Sequence, residues 1–320
     1  NFINRELDFI SFFKENEKIL TYITSTPFKY YFEGKLNIEN PKTKYILKIL
    51  PYSKLYQSSD NIFDSNRPEN SEIIMHKLIS DFLLENNIPY IIIPYISFVT
   101  NIYQFVNPNI NSIINHNQKY IEFISKYLSD KFYDKVKLLF MEHGINMKSY
   151  LIKNKNNFDL SDWKTMLFQI IFTLSFIQEK YPSFKHNNLS LNSIYIIHQK
   201  IESFNLNFNN KNYLIPKRNN NFCINNFSLA NIQGFITNNR LSNNILNQIG
   251  INNKKNKYYD VHYLLSNILY ICNQNNIILP NEIKDFIDRN IPYNYQPNIN
   301  KYNRIIIEEE IITPKQIIEN

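Results

Sequence analysis

Glycine is scarce in this chain, with 4 among 320 residues. Tight turns that need a positive φ normally use glycine, because it lacks the Cβ atom that clashes in that conformation. Asparagine tolerates the left-handed backbone better than most other residues, and this sequence is rich in asparagine. We therefore expect asparagine to occupy turns where glycine would ordinarily stand.

Cysteine is also rare, and the two cysteines, Cys223 and Cys272, lie far apart in the sequence. This spacing does not match a Cys-x-x-Cys redox site or a cysteine-based zinc site, and it favours free thiols over a disulfide. The six histidines are scattered and form no ligand cluster. We expect free buried thiols, a reducing compartment and no bound metal.

Long apolar runs are missing too. The longest, residues 88–99, is interrupted by Pro89 and Pro94. A helix needs about 20 consecutive apolar residues to cross a bilayer, so this run is too short and too broken. The first residues do not have the pattern of a secretory signal peptide. We expect neither a membrane span nor secretion.

Apolar and aromatic residues are plentiful, at 43% and 15% of the chain, which is enough to build a core in one large domain or two lobes. The net charge is +7. A basic chain can bind polyanions through one charged face, or its lysines can be spread over a solvated surface. Basic residues cluster only modestly, at 211–218 and 254–257. We therefore favour the solvated surface and predict no nucleic-acid partner.

The order of strand-like and helical patterns indicates an α+β fold. Apolar alternation predicts an antiparallel meander of three strands, at 21–23, 29–36 and 44–50. One or two buried strands are predicted at 88–99, and further strands at 136–141, 194–197, 206–215 and 222–224. Helical periodicity predicts helices at 4–20, 72–84, 120–133, 146–152, 163–181, 257–272 and 281–288, and a short one after Thr313.

Two lobes follow from this order. Residues 1–141 form an N-terminal lobe that contains the leading helix, the small antiparallel sheet and the helix that carries Glu72. Residues 142–320 form a larger helical lobe. The asparagine-rich segment 101–133 is predicted to be an insertion in the first lobe, and it is a candidate contact surface.

Six short motifs, each occurring once, follow one another along the chain. They are YILK at 45–48, Glu72 on the following helix, FMEHG at 140–144, FKHNNLSLNSIY at 184–195, FCINNFSLA at 222–230 and YDVHYLL at 259–265. Each motif alone has an ordinary structural explanation, such as a solvated lysine, a glycine turn, a polar loop or a helix cap. Their order and spacing together resemble the protein kinase superfamily, and so imply its two-lobed fold.

The resemblance implies a role for each position. Lys48 would bind nucleotide phosphates and pair with Glu72, and the hinge residues Met141 and His143 would meet an adenine. Asp260 would accept hydrogen bonds from the backbone of the catalytic loop. The catalytic loop and the metal-binding motif would include His186, Asn188, Ser193 and Asn226.

A closer resemblance is to the Ser/Thr-kinase-like proteins of large nucleocytoplasmic DNA viruses. Those proteins have Phe-x-His-Asn-Asp-Leu-His loops and a Tyr-x-x-Pro hairpin, which residues 184–189 and 212–216 resemble. The acidic stretch and Thr-Pro pair at 308–314 also look like theirs. This resemblance implies a location in the cytoplasm or in a virus particle.

The family pattern has lost the groups that carry its chemistry. Asn188 stands where the family has its catalytic aspartate, and Asn226 and Ser193 stand where it has metal ligands. An amide cannot act as a base, and magnesium prefers anionic oxygen ligands. The phosphate-covering loop, near residues 24–28, contains no glycine. These departures imply a catalytically inactive kinase-like protein, a pseudokinase, with no bound cofactor.

Two alternatives stay open. The protein could be an atypical or weakly active Ser/Thr protein kinase that binds ATP and magnesium through Lys48 and Glu72. It could also be an unrelated α+β interaction protein whose motifs are coincidental. The pseudokinase hypothesis predicts a structural or interaction module with protein partners.

Overall fold

The computed structural model describes residues 21–26, 29–35, 44–56, 61–103, 118–155, 157–208, 211–242, 244–291, 304–305 and 310–320. The leading helix predicted at 4–20 lies outside these residues. The chain forms two compact units. The first is Asn1–Ile73 with Ile93–His143, and the second is Ile74–Ile92 with Gly144–Asn320.

A five-stranded antiparallel sheet forms most of the first unit. Its strands lie in the order β1-β2-β3-β5-β4, so the first three form the predicted meander. The strands are β1 (Thr21–Thr26), β2 (Lys29–Lys35), β3 (Lys44–Ser53), β4 (Pro94–Asn101) and β5 (Phe132–Glu142).

Helix α1 (Pro68–Glu85) begins in this unit and carries Glu72, as predicted. The strand β3 is buried along nearly its whole length, because β2 and β5 flank it and its apolar side chains pack in the core. Helix α2 (Gln118–Leu128) adds Phe123 to that core, 5.6 Å from the ring of Phe132. The described part of the predicted insertion therefore packs on the sheet.

Two predictions for this unit are wrong in detail. The apolar run 88–99 predicts one or two buried strands. Residues 90–92 are buried, but β4 lies at the edge of the sheet that the described residues form, and Tyr95 and Ile96 are 54% and 57% exposed. An edge strand has a neighbour on one side only, so part of its surface stays uncovered. The helix predicted at 120–133 ends at Leu128, because the chain turns at Asp130, which has a φ of 57°, and then enters β5.

The second unit is mainly helical. Among its described residues, it contains the later turns of α1 and six further helices. These are α3 (Met147–Lys153), α4 (Leu160–Lys180), α5 (Asn244–Gln248), α6 (Tyr259–Gln274), α7 (Asn281–Asn290) and α8 (Pro314–Glu319). Its strands are β6 (Ile145–Asn146), β7 (Phe184–Lys185), β8 (Ile194–Ile201), β9 (Phe204–Phe208), β10 (Lys211–Ile215), β11 (Arg218–Ile224) and β12 (Asn231–Ile232). They form small sheets in the orders β11-β8-β6, β10-β9 and β12-β7. The predicted α+β class is confirmed.

Helix α4 is the centre of this unit, with more than half of its side chains buried. It begins before the predicted Trp163, because the side chain of Asp159 accepts a 2.9 Å hydrogen bond from the backbone N–H of Asp162 and caps the first turn. The short last helix, α8, is predicted correctly. Thr313 and Gln316 form a capping box at its start.

Residues 74–92 belong to the second unit, whereas the sequence divides the lobes at 141/142. The reason is the apolar face of α1, on which Met75, Ile79 and Leu83 pack in the core of the second unit. The chain after α1 is held there as well, since Ile92 N–H donates to the carbonyl oxygen of Ile224 at 3.1 Å.

Asparagine takes the place of glycine in the turns of the described residues, as the composition predicts. Four of the five non-glycine residues with positive φ are asparagines: Asn87, Asn187, Asn226 and Asn276, with φ between 53° and 67°. Two of them, Asn187 and Asn226, lie in the motifs that resemble the catalytic loop and the metal-binding motif.

The two cysteines are free and buried, as predicted. Among the described helices, none combines the length and the apolar composition needed to pass through a membrane.

Candidate functional site

The loop at 186–193 is positioned by the ends of three elements. Helix α4 ends at Lys180, the short strand β7 pairs with β12, and a 3-10 turn at Leu191–Ser193 leads into β8. Leu189 and Leu191 are fully buried and anchor the loop in the core. The polar residues just before these apolar anchors contact other elements: His186 and Asn187 bind Asp260 at the start of α6, and His186 also contacts Asn225 after β11.

Asp260 fixes the beginning of this loop. Its carboxylate oxygens accept backbone hydrogen bonds from His186 at 2.7 Å and from Asn187 at 2.9 Å. The carboxylate is fully buried. Burial raises its pKa to about 6, against the opposing effect of the two hydrogen bonds and of Lys185. These two hydrogen bonds are the contacts that the family resemblance implies for Asp260.

His186 joins the loop to the segment after β11. Its Nδ1 lies 3.3 Å from the backbone N–H of Asn188, and its Nε2 lies 3.0 Å from the carbonyl oxygen of Asn225. A carbonyl oxygen can only accept, so Nε2 carries the hydrogen and Nδ1 accepts. The neutral ring therefore satisfies both contacts and serves as a structural link.

Asn187 secures the loop on its other side. The side-chain amide donates to the carbonyl oxygens of Leu229 and Asn252, each at 3.0 Å, and to Oδ1 of Asn231 at 2.9 Å. Its positive φ of 60° lets the backbone N–H reach Asp260 while the side chain points toward these acceptors. The loop is therefore held by backbone and side-chain bonds together.

Asn188, at the catalytic position of the family, is held by an arginine from the C-terminal part of the chain. Nη2 of Arg304 donates to Oδ1 of Asn188 at 2.9 Å, and Nη1 donates to the carbonyl oxygen of Asn187 at 2.5 Å. Nη1 also donates to the hydroxyl oxygen of Tyr259 at 2.8 Å, and the guanidinium carbon lies 3.8 Å from the ring centre of Tyr263. Arg304 is 4% exposed.

The segments that carry Ser193 and Asn226 meet at the ends of two paired strands. Ile194 opens β8 and pairs with Ile224 at the end of β11, so the residues just outside this pair are neighbours. The backbone N–H of Asn225 donates to the carbonyl oxygen of Ser193 at 2.8 Å. The structure therefore joins the segments that carry Asn188 and Asn226, as the motif reading implies.

The side chains at these positions already have partners inside the protein. The hydroxyl of Ser193 donates to the carbonyl oxygen of Asn188 at 2.6 Å, and the hydroxyl of Ser228 donates to Oδ1 of Asn226 at 3.2 Å. Magnesium prefers carboxylate oxygens, and this set offers neutral amides and hydroxyls. In the described ranges, no group of three or more His, Cys, Asp or Glu residues could hold a metal ion. The residues of this loop therefore do not fit a catalytic magnesium ion.

The first unit contains the lysine and glutamate that the sequence pairs. Nζ of Lys48 contacts Oε1 of Glu72, and a second lysine, Lys29, places its Nζ 2.8 Å from Oε2. The three side chains are 3%, 3% and 8% exposed, respectively. Both lysines hold the pKa of Glu72 well below its usual range, against the opposing effect of burial. The carboxylate is shared between two ammonium groups.

The residues predicted to contact an adenine lie at the end of β5. Met141 is buried in the sheet, and its backbone pairs with that of Ile46. Nε2 of His143 lies 2.8 Å from Oε2 of Glu33. Between them, Glu142 exchanges two hydrogen bonds with Ile93, one through its backbone N–H at 2.9 Å and one through its carboxylate at 3.2 Å. The backbone N–H of Glu142 is thus already occupied.

Sequence reasoning missed Lys29 and Arg304. The position of Lys29 follows once the strand register is known, because Tyr31 pairs with Lys48 and side chains two residues apart in a strand share a face. Lys29 is therefore on the same face as Lys48. Arg304 is 116 residues from Asn188 and follows no recognisable motif, so no sequence signal links the two.

Comparison with known proteins supports the family. "Putative serine/threonine-protein kinase R400" of Acanthamoeba polyphaga mimivirus is 30% identical over 331 aligned positions, covering 98% of this chain and 70% of that protein. No protein-family profile matches the chain. The crystal structure of the PF14_0431 kinase domain covers 72% of this chain at 14% identity, with a TM-score of 0.38. The match spans 54% of that solved chain, about half of its length.

The mimivirus relative and the ordered motifs define a class: this chain belongs to the serine/threonine-protein-kinase-like family. Within that class it is similar to a protein of a large DNA virus, as the resemblance of the loop and hairpin indicates.

Proposed function

We propose that this protein is a catalytically inactive member of the family, a pseudokinase, that acts as a structural or interaction module. The observation that carries the proposal is the hydrogen bond from Arg304 to Oδ1 of Asn188. The atom at the position of the family's catalytic base is a neutral amide oxygen, and a buried cation of the same chain donates to it.

Phosphoryl transfer needs a group that orients the attacking hydroxyl and accepts its proton. Acid–base catalysis by a positioned side chain contributes about 10²–10⁴-fold to a rate. An amide oxygen does not take up a proton near neutral pH, and Oδ1 of Asn188 is engaged by Arg304. This position therefore supports no proton transfer.

The remaining parts of the reaction are weakened as well. Oδ1 of Asn226 is neutral and accepts from Ser228, so it is a poor metal ligand. Strands β1 and β2 pair up to Thr26 and Lys29, so only residues 27–28 separate them. One of the two is Pro27, which has no N–H to offer a phosphate. These observations support loss of catalysis at several points.

One observation favours a second candidate, an atypical or weakly active Ser/Thr protein kinase. The contact between Lys48 and Glu72 is the one that active kinases use to hold nucleotide phosphates. If this candidate is correct, Lys48 and Glu72 hold ATP. Met141 and His143 would then lie beside its base.

A thermal-shift titration separates the two candidates. The unfolding temperature is measured with ATP, in EDTA and in magnesium, for the wild type and for Lys48→Ala. The matched control is Lys44→Ala, because Lys44 lies on the same strand but pairs with Glu33. An inactive module that binds no cofactor gives no magnesium-dependent shift. A shift that needs magnesium, disappears in Lys48→Ala and persists in Lys44→Ala supports the active candidate.

We also infer a setting from the family resemblance. A kinase-shaped module without catalysis works through protein partners, in the cytoplasm or as a component of a virus particle. Affinity purification from infected cells and mass spectrometry of purified particles test these two expectations directly. Recovery of the protein only from secreted or membrane fractions would contradict them.

A further inference from the structure

Arg304 fills a site that has the chemistry of a guanidinium receptor. Three oxygen atoms accept hydrogen bonds from the guanidinium nitrogens at 2.5 to 2.9 Å. They are the carbonyl oxygen of Asn187, Oδ1 of Asn188 and the hydroxyl oxygen of Tyr259. The ring of Tyr263 faces the guanidinium carbon at 3.8 Å. Oxygen acceptors at the edge and an aromatic ring on the face match the planar, delocalised shape of this cation.

The charge of the surroundings also suits a buried cation. The carboxylate of Asp260 lies directly behind the loop, where it accepts from His186 and Asn187. The negative charge of Asp260 and the positive charge of Arg304 influence each other, and the guanidinium opposes protonation of Asp260. A cation that is 4% exposed needs such a counter-charge, because removing a charge from water is costly.

The chain around Arg304 is anchored separately. Ile305 is buried and packs with Tyr258 and Tyr259, and Ile311 packs against the same cluster. Further on, the carboxylate of Glu310 accepts from the backbone N–H of Lys257 at 3.0 Å. Residues 305, 310 and 311 therefore keep these contacts when the Arg304 side chain is removed.

We propose that Asn187, Asn188, Tyr259 and Tyr263 form a guanidinium-binding site that the chain's own Arg304 occupies. In this arrangement the Arg304 side chain occupies Oδ1 of Asn188, and a guanidinium group from outside binds once that side chain is absent. This proposal goes beyond the proposed loss of catalysis, because it concerns binding of a guanidinium group. That binding is measured through the stability of the protein.

Chemical rescue of a truncated arginine tests the site. Arg304→Ala is expected to lower the unfolding temperature by about 5 °C or more, as loss of a buried charged contact does. Millimolar methylguanidinium should restore at least half of that loss. Methylammonium at the same concentration should restore little, because it cannot bridge the acceptors or lie flat on Tyr263. Hydrogen exchange of the backbone amides in the loop at 186–193 should become slow again when methylguanidinium is added, but not when methylammonium is added.

Two control variants make the outcome specific. Arg289→Ala removes an exposed arginine of α7, and methylguanidinium should leave its unfolding temperature unchanged. Adding Tyr263→Leu to Arg304→Ala removes the aromatic face and should weaken the rescue about tenfold in ligand concentration. If Arg304→Ala does not fold, recovery of folded protein from urea with each cation gives the same comparison.

The proposal is overturned if methylguanidinium and methylammonium act equally on Arg304→Ala, or if Arg304→Ala is as stable as the wild type. Neither outcome bears on phosphoryl transfer, so failure here leaves the proposed loss of catalysis standing. Phosphoryl transfer by the wild type would, conversely, refute the pseudokinase proposal without affecting selective rescue.

Discussion

Nζ of Lys29 lies 2.8 Å from Oε2 of Glu72, the carboxylate oxygen that Lys48 does not contact. In the family, a single strand lysine pairs with this glutamate. Here the strand that follows residues 27–28 supplies a second cation to the same buried carboxylate. Glu72 is therefore a structural centre of the first unit, whatever ligand the unit binds.

Glu72→Gln should destabilise the protein strongly. The substitution removes the carboxylate that two buried ammonium groups share, and breaking a buried pair in this way costs about 3–5 kcal/mol. Lys29→Met should cost much less, about 1 kcal/mol, because Glu72 keeps Lys48 as its partner. Urea unfolding of both variants at pH 7 measures the difference. Equal effects of the two substitutions would show that Glu72 does not organise the cluster.

Asp260→Asn should loosen the loop at 186–193. An amide can accept through one oxygen only, so one of the backbone N–H groups of His186 and Asn187 would face an NH₂ group. Loss of a buried charged acceptor of this kind costs about 2–4 kcal/mol. Urea unfolding and hydrogen exchange at these two amides measure the effect. The exposed Asp285→Asn is the control and should change neither quantity.

His262 should make the second unit sensitive to acid. Both ring nitrogens are buried without a hydrogen-bond partner among the described residues, and burial lowers the pKa from 6.5 to about 4. The folded state therefore resists protonation, so this contribution is complete above pH 6.5 and is lost as the pH falls toward 4. The loss is about 3 kcal/mol, at 1.36 kcal/mol for each pKa unit.

Unfolding free energies of the wild type and His262→Leu, measured from pH 7 to pH 4, test this contribution. The variant should show a shallower decline with falling pH than the wild type. Parallel pH profiles for the wild type and His262→Leu would rule out His262 as the source of acid sensitivity.

Much of the fold follows from local patterns. Period-2 and period-3.6 apolar repeats predict the meander β1-β2-β3 and the buried helix α4, because those elements bury one face or stripe. The edge position of β4 does not follow, since Tyr95 and Ile96 are as apolar as buried residues. Burial at an edge depends on which strands assemble beside it, and no local pattern carries that information.

Part of the candidate site can likewise be predicted from the sequence, and part of it cannot. The loop around His186 and the pairing of Lys48 with Glu72 follow from the order of motifs along the chain. The bond between Asn188 and Arg304 does not, because it joins residues 116 positions apart through packing of the C-terminal segment. Contacts of that kind depend on the assembled tertiary structure.

Placing aspartates at positions 188 and 226, where the family has them, should not give kinase activity. In Asn188→Asp with Asn226→Asp, the new carboxylates can raise magnesium affinity, because magnesium prefers anionic oxygen ligands. Arg304 would then hold Asp at position 188 as an ion pair, and residues 24–28 would still lack glycine. We expect tighter magnesium binding by calorimetry and no robust phosphoryl transfer. Efficient turnover by this double variant would contradict the roles given to Arg304 and the glycine-free loop.

The most direct measurement of the central claim is phosphoryl transfer by the purified wild type. The protein is incubated with γ-labelled ATP and magnesium or manganese, alone and with a general protein substrate, beside Lys48→Ala. The account predicts label incorporation equal in the two proteins and indistinguishable from background. Incorporation by the wild type that Lys48→Ala abolishes would show that the protein is an active kinase.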